Sequence, residues 1–416
     1  MANNIKKWLG VLTIAACFGW VLRVGVTQPD HSGFNWDVIG YVASLYNQDG
    51  LSGEPLSRAV YANVLKEFGE NDLCQLTAGA SRSRHGSCPV EQVPDTSYRA
   101  TVFNDPVSLE QQIPFYSIRV LYLLSIRIVD HFVHSYSSSA ILVNAIYAAL
   151  CVLAVAMLLD HFHISPIYLP AIIFISRLGY LGRIGTPDAL ACLLSLLALL
   201  LLIKRSRWVF VVIAALPLAR TDFVIMSLIL CVFSFQFVSA RLTVLSAALS
   251  VGLLIFDNHL NGNYGYLTLF NFSLVGVDPY PADMKISTHF ADYVNAYISG
   301  AKVALNSRHL FAYMFSLLLF GMRLYKRKSF SELDYMFIAS MFFVSLHLIL
   351  FPQYSDRYFV LPVIVSLIFM INRMAEGAGF AAGRLRQPPT NQCPLWRKST
   401  GPSGQDIQPA SGSTRP

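Results

Sequence analysis

Asp37 is the first side chain in this sequence placed to do chemistry. It sits in Gly33-Phe34-Asn35-Trp36-Asp37-Val38-Ile39-Gly40-Tyr41, a lone acid among aromatic and apolar residues soon after the first long apolar run. A carboxylate at a helix start fits three roles: partner for the helix dipole, acceptor that stabilises the fold, or general base facing a cavity. Further charged residues fall in pairs at the ends of later apolar runs: Arg183 with Asp188, Arg220 with Asp222, and Asp356 with Arg357. Acids and arginines converging at a membrane surface suit a group transfer, in which a base takes a proton while a cation grips a phosphate, or a transport site. Arg357 suits that grip best. It opens the last apolar run on the side where cations are scarce, and a planar guanidinium binds phosphate in bidentate fashion.

Each feature also has a plainer reading. Thr186-Pro187-Asp188 is a strong helix start, with Thr as N-cap, Pro at the first position and Asp near the positive end of the dipole. Arg220-Thr221-Asp222 reads as a turn with a local ion pair, and Tyr354 as a ring of the interfacial belt. His347, inside an apolar run, is read as a satisfied core histidine, and Asp160-His161-Phe162-His163 as a solvated turn.

The elements that position these residues follow from composition. The chain has 416 residues, 54% hydrophobic and 13% charged, with a mean hydropathy of +0.50. That is an all-α polytopic membrane protein, with no polar stretch rich enough to form a separate soluble domain. The net charge of +7 is concentrated in short connections such as Lys204-Arg205-Ser206-Arg207, as the positive-inside bias requires, and implies no nucleic-acid partner. Of the seven cysteines only Cys74 and Cys88 share a polar loop, so a disulfide between them needs that loop to face an oxidising compartment.

Lys6 and Lys7 precede an apolar run over 8–26 that is read as an uncleaved first span. Residues 27–134 form a large extracytoplasmic loop with membrane-surface helices. Within it, 114–134 is apolar but carries Arg119, Arg127 and Asp130, each costing about 2.5–3.5 kcal/mol at the centre of a span. If that stretch spanned, the basic connections 204–207 and 323–328 would lie opposite Lys6 and Lys7, so it is expected to lie on the surface or re-enter. Spans over 140–159, 166–182, 187–203, 208–219, 223–238, 242–256, 309–322, 334–351 and 358–371 complete the domain 1–373. The total is about ten transmembrane helices, with both termini cytoplasmic. Residues 257–308 are a second extracytoplasmic loop, and 374–416 a disordered cytoplasmic tail. Val38, Tyr41, Val42 and Leu45 recur at helical spacing, so their segment is expected to lie on the bilayer with its apolar face down. This topology puts Asp37, Asp188, Asp222 and Arg357 on one outer face.

On these residues the layout resembles the polytopic GT-C glycosyltransferases over 8–373. The similar features are Asp37 after the first span with Tyr41 following, and Phe115-Tyr116 with Arg119 and Leu121-Tyr122 in a membrane-surface segment. Thr186-Pro187-Asp188-Ala189-Leu190 and Arg357-Tyr358-Phe359 with Pro362, each opening a span, add to it. The resemblance implies transfer of a sugar from a polyprenyl-phosphate donor to a glycan, lipid or protein acceptor of the cell envelope, on the extracytoplasmic face of a bacterial inner membrane. It implies Asp37 as base and Arg357 as phosphate holder, with Asp188, Arg183, Arg119, Arg220 and Asp222 orienting sugar or supporting the site. Trp36, Tyr41 and Tyr354 are expected to stack on sugar faces. Inversion at the anomeric carbon is implied, and a divalent cation is compatible with the family although no ligand cluster demands one. Many relatives place a second acid beside the first, whereas Val38 follows Asp37 here, so a second carboxylate must come from Asp49, Asp105 or Asp188. Two other classes fit the same charges: a transporter or lipid-linked glycan flippase, which favours broken spans with charges at the midplane, and a membrane acyltransferase resting on His347, His259 or His289.

Overall fold

The computed structural model describes residues 2–27, 36–81, 96–235, 239–326 and 329–386. Every regular element among them is helical. The first part holds α1 (Ala2–Thr27), α2 (Trp36–Gln48), α3 (Gly53–Leu76), α4 (Thr96–Asn104), α5 (Pro106–Ser117) and α6 (Val120–Val133). Next come α7 (Tyr136–His161), α8 (Leu169–Ser176), α9 (Leu178–Leu181), α10 (Asp188–Ile203), α11 (Val209–Ala219) and α12 (Val224–Ser234). Last are α13 (Ala240–Leu260), α14 (Tyr266–Leu274), α15 (Phe290–Leu305), α16 (Leu310–Tyr325), α17 (Glu332–Leu350) and α18 (Val360–Arg386).

Local chemistry explains several starts. Asp105 caps α5, accepting from the Val107 amide at 2.9 Å with Pro106 in the first turn. Ser331 and Asp334 form a capping box at α17. Asp334 also receives Arg323 at 2.9 Å and Arg373 at 3.0 Å, so this end of α17 is tied to α16 and α18.

Among the described residues, five stretches are long and apolar enough to cross a membrane: 7–27, 136–161, 240–260, 332–350 and 356–376. The number rises to seven if α5 with α6, bent by 105°, and α15 with α16, bent by 80°, each form one span. Four shorter apolar helices among the described residues cover 166–176, 188–203, 209–219 and 221–234. The chain is therefore an all-α, membrane-embedded protein. The stretch 114–134 is not a straight helix but the region of that 105° bend, with Arg119 at its corner.

The core is centred on α7, which packs against α1, α6 and α10. Ala140, Ala145, Ala148 and Ala149 are fully buried on it, because small side chains let helices approach closely where lipid removes the hydrophobic drive to associate. α2 departs from the expected surface helix. Val38, Val42 and Leu45 are fully buried and so are Ile39 and Ala43 on other sides, since α3, α5 and α7 enclose it. Its apolar face meets protein rather than lipid, and its contacts are tight. A Cβ at Gly40 would overlap the Tyr116 ring, and one at Gly185 would overlap Val38.

The first extracytoplasmic loop of the sequence reading is thus largely helical, with α2 to α6 in its described parts, and the second holds α14 and α15. Cys74 is disulfide-bonded; Cys88 lies outside the described residues. The chain divides into 1–373 and 374–416. Where composition predicts disorder from 374, α18 continues to Arg386, and the rest of the expected tail lies outside the described residues.

Gly300 on α15 shows how the last loop is positioned. A Cβ there would collide with the backbone carbonyl oxygen of Pro352, whereas one at Gly252 on α13 meets nothing within 4 Å. Gly300→Ala is expected to cost about 1–3 kcal/mol and lower the thermal midpoint of the detergent-solubilised protein. Gly252→Ala is expected to leave the midpoint unchanged or raise it.

Candidate active site

The helix ends bring Asp37, Arg357, Asp188, Arg220 and Asp222 into one row of alternating charge. Asp37, the second residue of α2, receives Arg357 Nη1 at 2.9 Å. Arg357 Nε lies 3.8 Å from Asp188 Oδ2. Asp188, in the first turn of α10, is bound on its other oxygen by Arg220 Nη1. Arg220 then holds Asp222 with two prongs, Nε to Oδ1 at 2.9 Å and Nη2 to Oδ2 at 2.8 Å. His347 Nε2, near the end of α17, reaches Asp222 Oδ2 at 3.2 Å. The Tyr358 ring lies 4.3 Å from the Arg220 guanidinium and 5.0 Å from that of Arg357, adding cation–π attraction to both.

The middle of the row is dry and its ends are open. Side-chain exposure is 2% at Asp188 and 11% at both arginines, against 24% at Asp37 and 27% at Asp222. Each guanidinium lies between two carboxylates, which is how buried charges become tolerable. Arg119 differs. It sits at the corner between α5 and α6, its charge acts on Tyr41 and Tyr116, and its Nε and Nη1 are buried with no hydrogen-bond partner among the described residues. Tyr116 itself donates to Asp37 Oδ1 at 3.3 Å. Near the Asp37 end there is therefore a cation with donors to spare, a place suited to an anion.

The aromatic residues are placed differently from expectation. Trp36 is buried against Tyr98 and Tyr116, with ring centroids 5.3 and 6.2 Å away. Tyr41 is wedged edge-on between Tyr116 at 5.0 Å and Tyr122 at 4.9 Å, and burial holds its phenol far above the ordinary range, so it stays neutral. Tyr354 stacks on Phe359 at 4.8 Å and accepts from Ser307 at 2.8 Å. Burial pushes its hydroxyl up to about 12. It lines a neighbouring cavity with Asp356. These rings pack against protein rings because aromatic residues near an acid are also the best material for walls. Arg183 lies partly buried in the turn leading to α10.

Of the acids open as companions to Asp37, Asp188 is the one that joins it, through the shared Arg357. Asp49 instead receives Arg127 at 2.9 Å and Tyr136 at 2.7 Å, while Asp105 caps α5 and receives Tyr280 at 2.6 Å. Thr186 does not cap α10 through the backbone; its hydroxyl donates to Asp188 Oδ2 at 2.5 Å. His161 pairs with Glu332 at 3.1 Å. No three His, Cys, Asp or Glu side chains converge as metal ligands among the described residues.

Sequence reasoning missed the joining of His347, Tyr358 and Thr186 to the row and the hydrogen bond of Tyr116 to Asp37. Each carried a partial signal, Thr186, Tyr358 and Tyr116 as members of the motifs named above and His347 as a lone ionisable residue within an apolar run, but none of these signals names the partner. The fold and the row define a class: a membrane-embedded helical protein that gathers an alternating ion network at its helix ends. Compared with protein families, curated proteins and solved structures, the chain matches none.

The burial gradient separates scaffold from reactive end. Asp188→Asn is expected to destabilise the protein by about 3 kcal/mol, because it leaves Arg220 and Arg357 short of a buried counter-charge. Asp37→Asn, at the open end, is expected to cost about 1 kcal/mol or less. Thermal or denaturant unfolding of both variants in detergent checks the order.

Proposed function

We propose that the protein is a GT-C-like membrane glycosyltransferase, with about ten spans counting the shorter apolar helices and both termini cytoplasmic, in a bacterial inner membrane. It moves a sugar from a polyprenyl-phosphate donor to a glycan, lipid or protein acceptor of the cell envelope on the extracytoplasmic face. The observation that carries this reading is the direct pairing of Asp37 with Arg357 at 2.9 Å, at the accessible end of a network that holds Arg357 rigidly from behind.

In this mechanism the donor phosphate competes with Asp37 for Arg357 and takes up the spare donors of Arg119. Asp37, released from its ion pair, accepts the proton of the acceptor hydroxyl. The acceptor oxygen attacks the anomeric carbon as the bond from that carbon to the phosphate oxygen breaks. The leaving lipid phosphate keeps the bonding electrons, and the two guanidiniums stabilise its charge. Attack opposite the leaving group inverts the anomeric carbon. Asp188, Arg220 and Asp222 hold Arg357 in place, Arg183 lies in the turn leading to Asp188, and Trp36, Tyr41 and Tyr116 form the wall behind Asp37. Tyr354 supports the loop carrying Arg357.

One observation favours a second reading. The two bent helix pairs, at 105° and 80°, resemble the interrupted helices of transporters and flippases. Against it, the charged row sits at helix ends, where a surface reaction is reached from water.

The deciding measurement is transfer of radiolabelled sugar from polyprenyl-phosphate sugars to membrane acceptors in vesicles. Asp37→Asn is expected to lower the rate by about 100-fold or more while donor binding holds or tightens, because the carboxylate that competes for Arg357 is gone. Arg357→Gln is expected to weaken donor use as well as turnover. Undiminished transfer by Asp37→Asn would move the base elsewhere. If no lipid-linked sugar is ever consumed, the transporter reading takes over.

A further inference from the structure

Beside the row lies a second assembly of charge that the proposed reaction does not use. A cavity of ≈ 450 Å³ is lined by Arg177, Lys302, Ser307, Arg308, Tyr354 and Asp356 among others, within the size range of small-molecule sites. Arg177 comes from the break between α8 and α9, where it adopts a left-handed backbone conformation, φ +59°. That conformation is costly for a residue other than glycine and recurs at functional positions. It places the guanidinium on Asp356 Oδ2 at 2.7 Å and over the Tyr180 ring at 4.6 Å. Lys302 and Arg308 come from α15 and from the bend between α15 and α16, and neither pairs with a carboxylate among the described residues. Three cations thus face one carboxylate, and the cavity carries an excess of positive charge.

The lining is mostly polar, but the elements that supply its cations also expose apolar side chains. Val303, on the lining itself, is 52% exposed, and Phe174 and Phe311, each three residues from a lining arginine, are 79% and 86% exposed. A soluble anion would use the cations alone, whereas exposed rings on two apolar helices put the cations within reach of lipid. A ligand with a phosphate head and hydrocarbon tails would satisfy both. We propose that this cavity binds the phosphate headgroup of an anionic membrane lipid through Arg177, Lys302 and Arg308, with its acyl chains against Phe174 and Phe311. Ser307 and Tyr354 supply hydroxyls at the same wall. The bound phosphate competes with Asp356 for Arg177, and Asp356 precedes Arg357, so occupancy bears on the loop that supplies the row.

The site is tested by binding alone, independently of any sugar transfer. The full-length protein in a zwitterionic detergent is titrated against fluorescent phosphatidic acid, followed by anisotropy, with phosphatidylcholine and inorganic phosphate as competitors. Wild type is expected to bind saturably, to resist millimolar inorganic phosphate, and to ignore phosphatidylcholine. Replacing both exposed cations, Lys302→Ala with Arg308→Ala, is expected to weaken binding by about thirtyfold, while Lys66→Ala on α3 has no effect. A double variant that melts like wild type and binds equally well overturns the proposal, as does non-saturable binding. Displacement by inorganic phosphate alone overturns the lipid assignment in favour of a soluble phosphate.

Discussion

The carboxylate of Asp188 is the charge around which this molecule is built. It is 2% exposed, and an isolated carboxylate at that depth is unaffordable unless cations and donors surround it. Arg220, Arg357 and Thr186 do so from separate places: the turn after α11, the start of the last span, and the turn before α10. The requirement to satisfy one buried acid therefore ties distant parts of the chain together. It also fixes the direction in which Arg357 presents its Nη1, toward Asp37, while Nη2 donates to the Tyr358 hydroxyl.

Asp37 reaches that position because α2 is pressed into the protein from all sides. Gly40 lets the Tyr116 ring lie flush against the helix, and Gly185 lets the turn before α10 approach Val38. Each contact excludes a side chain at the glycine, and together they bring the acid of α2 within reach of the span that carries Arg357. The outcome is a gradient from a dry, fully paired centre to half-open ends. A row of this kind keeps its cations rigid while leaving its terminal carboxylate accessible, which is the division of labour a group-transfer site requires.

Asp356 and Arg357 are neighbours, yet they serve different clusters. Asp356 turns to Arg177 and Ser307, whereas Arg357 turns to Asp37 and Asp188. The short helical turn over Asp356–Phe359 makes this divergence possible by sending successive side chains about a third of a turn apart. The loop is braced by the close approach of α15 at Gly300 and by Tyr354 stacked on Phe359.

The sequence by itself determined the class of the molecule: apolar runs with charges confined to their ends specify membrane-embedded helices, because unpaired backbone and charge are excluded from lipid. It also marked Asp37, Asp188, Arg220, Asp222 and Arg357 as chemistry-bearing, since ionisable residues at those borders are costly to keep. Two kinds of statement lay beyond it. Whether a helix such as α2 meets lipid or protein depends on what packs over it, and periodicity reports only that one face is apolar. Which acid pairs with which arginine is likewise a matter of three-dimensional proximity: Asp49, Asp105 and Asp188 were equal in sequence, and only the tertiary structure set Asp188 beside Arg357. The same holds for the aromatic residues, whose presence is legible but whose faces are open or covered only once the chain has folded.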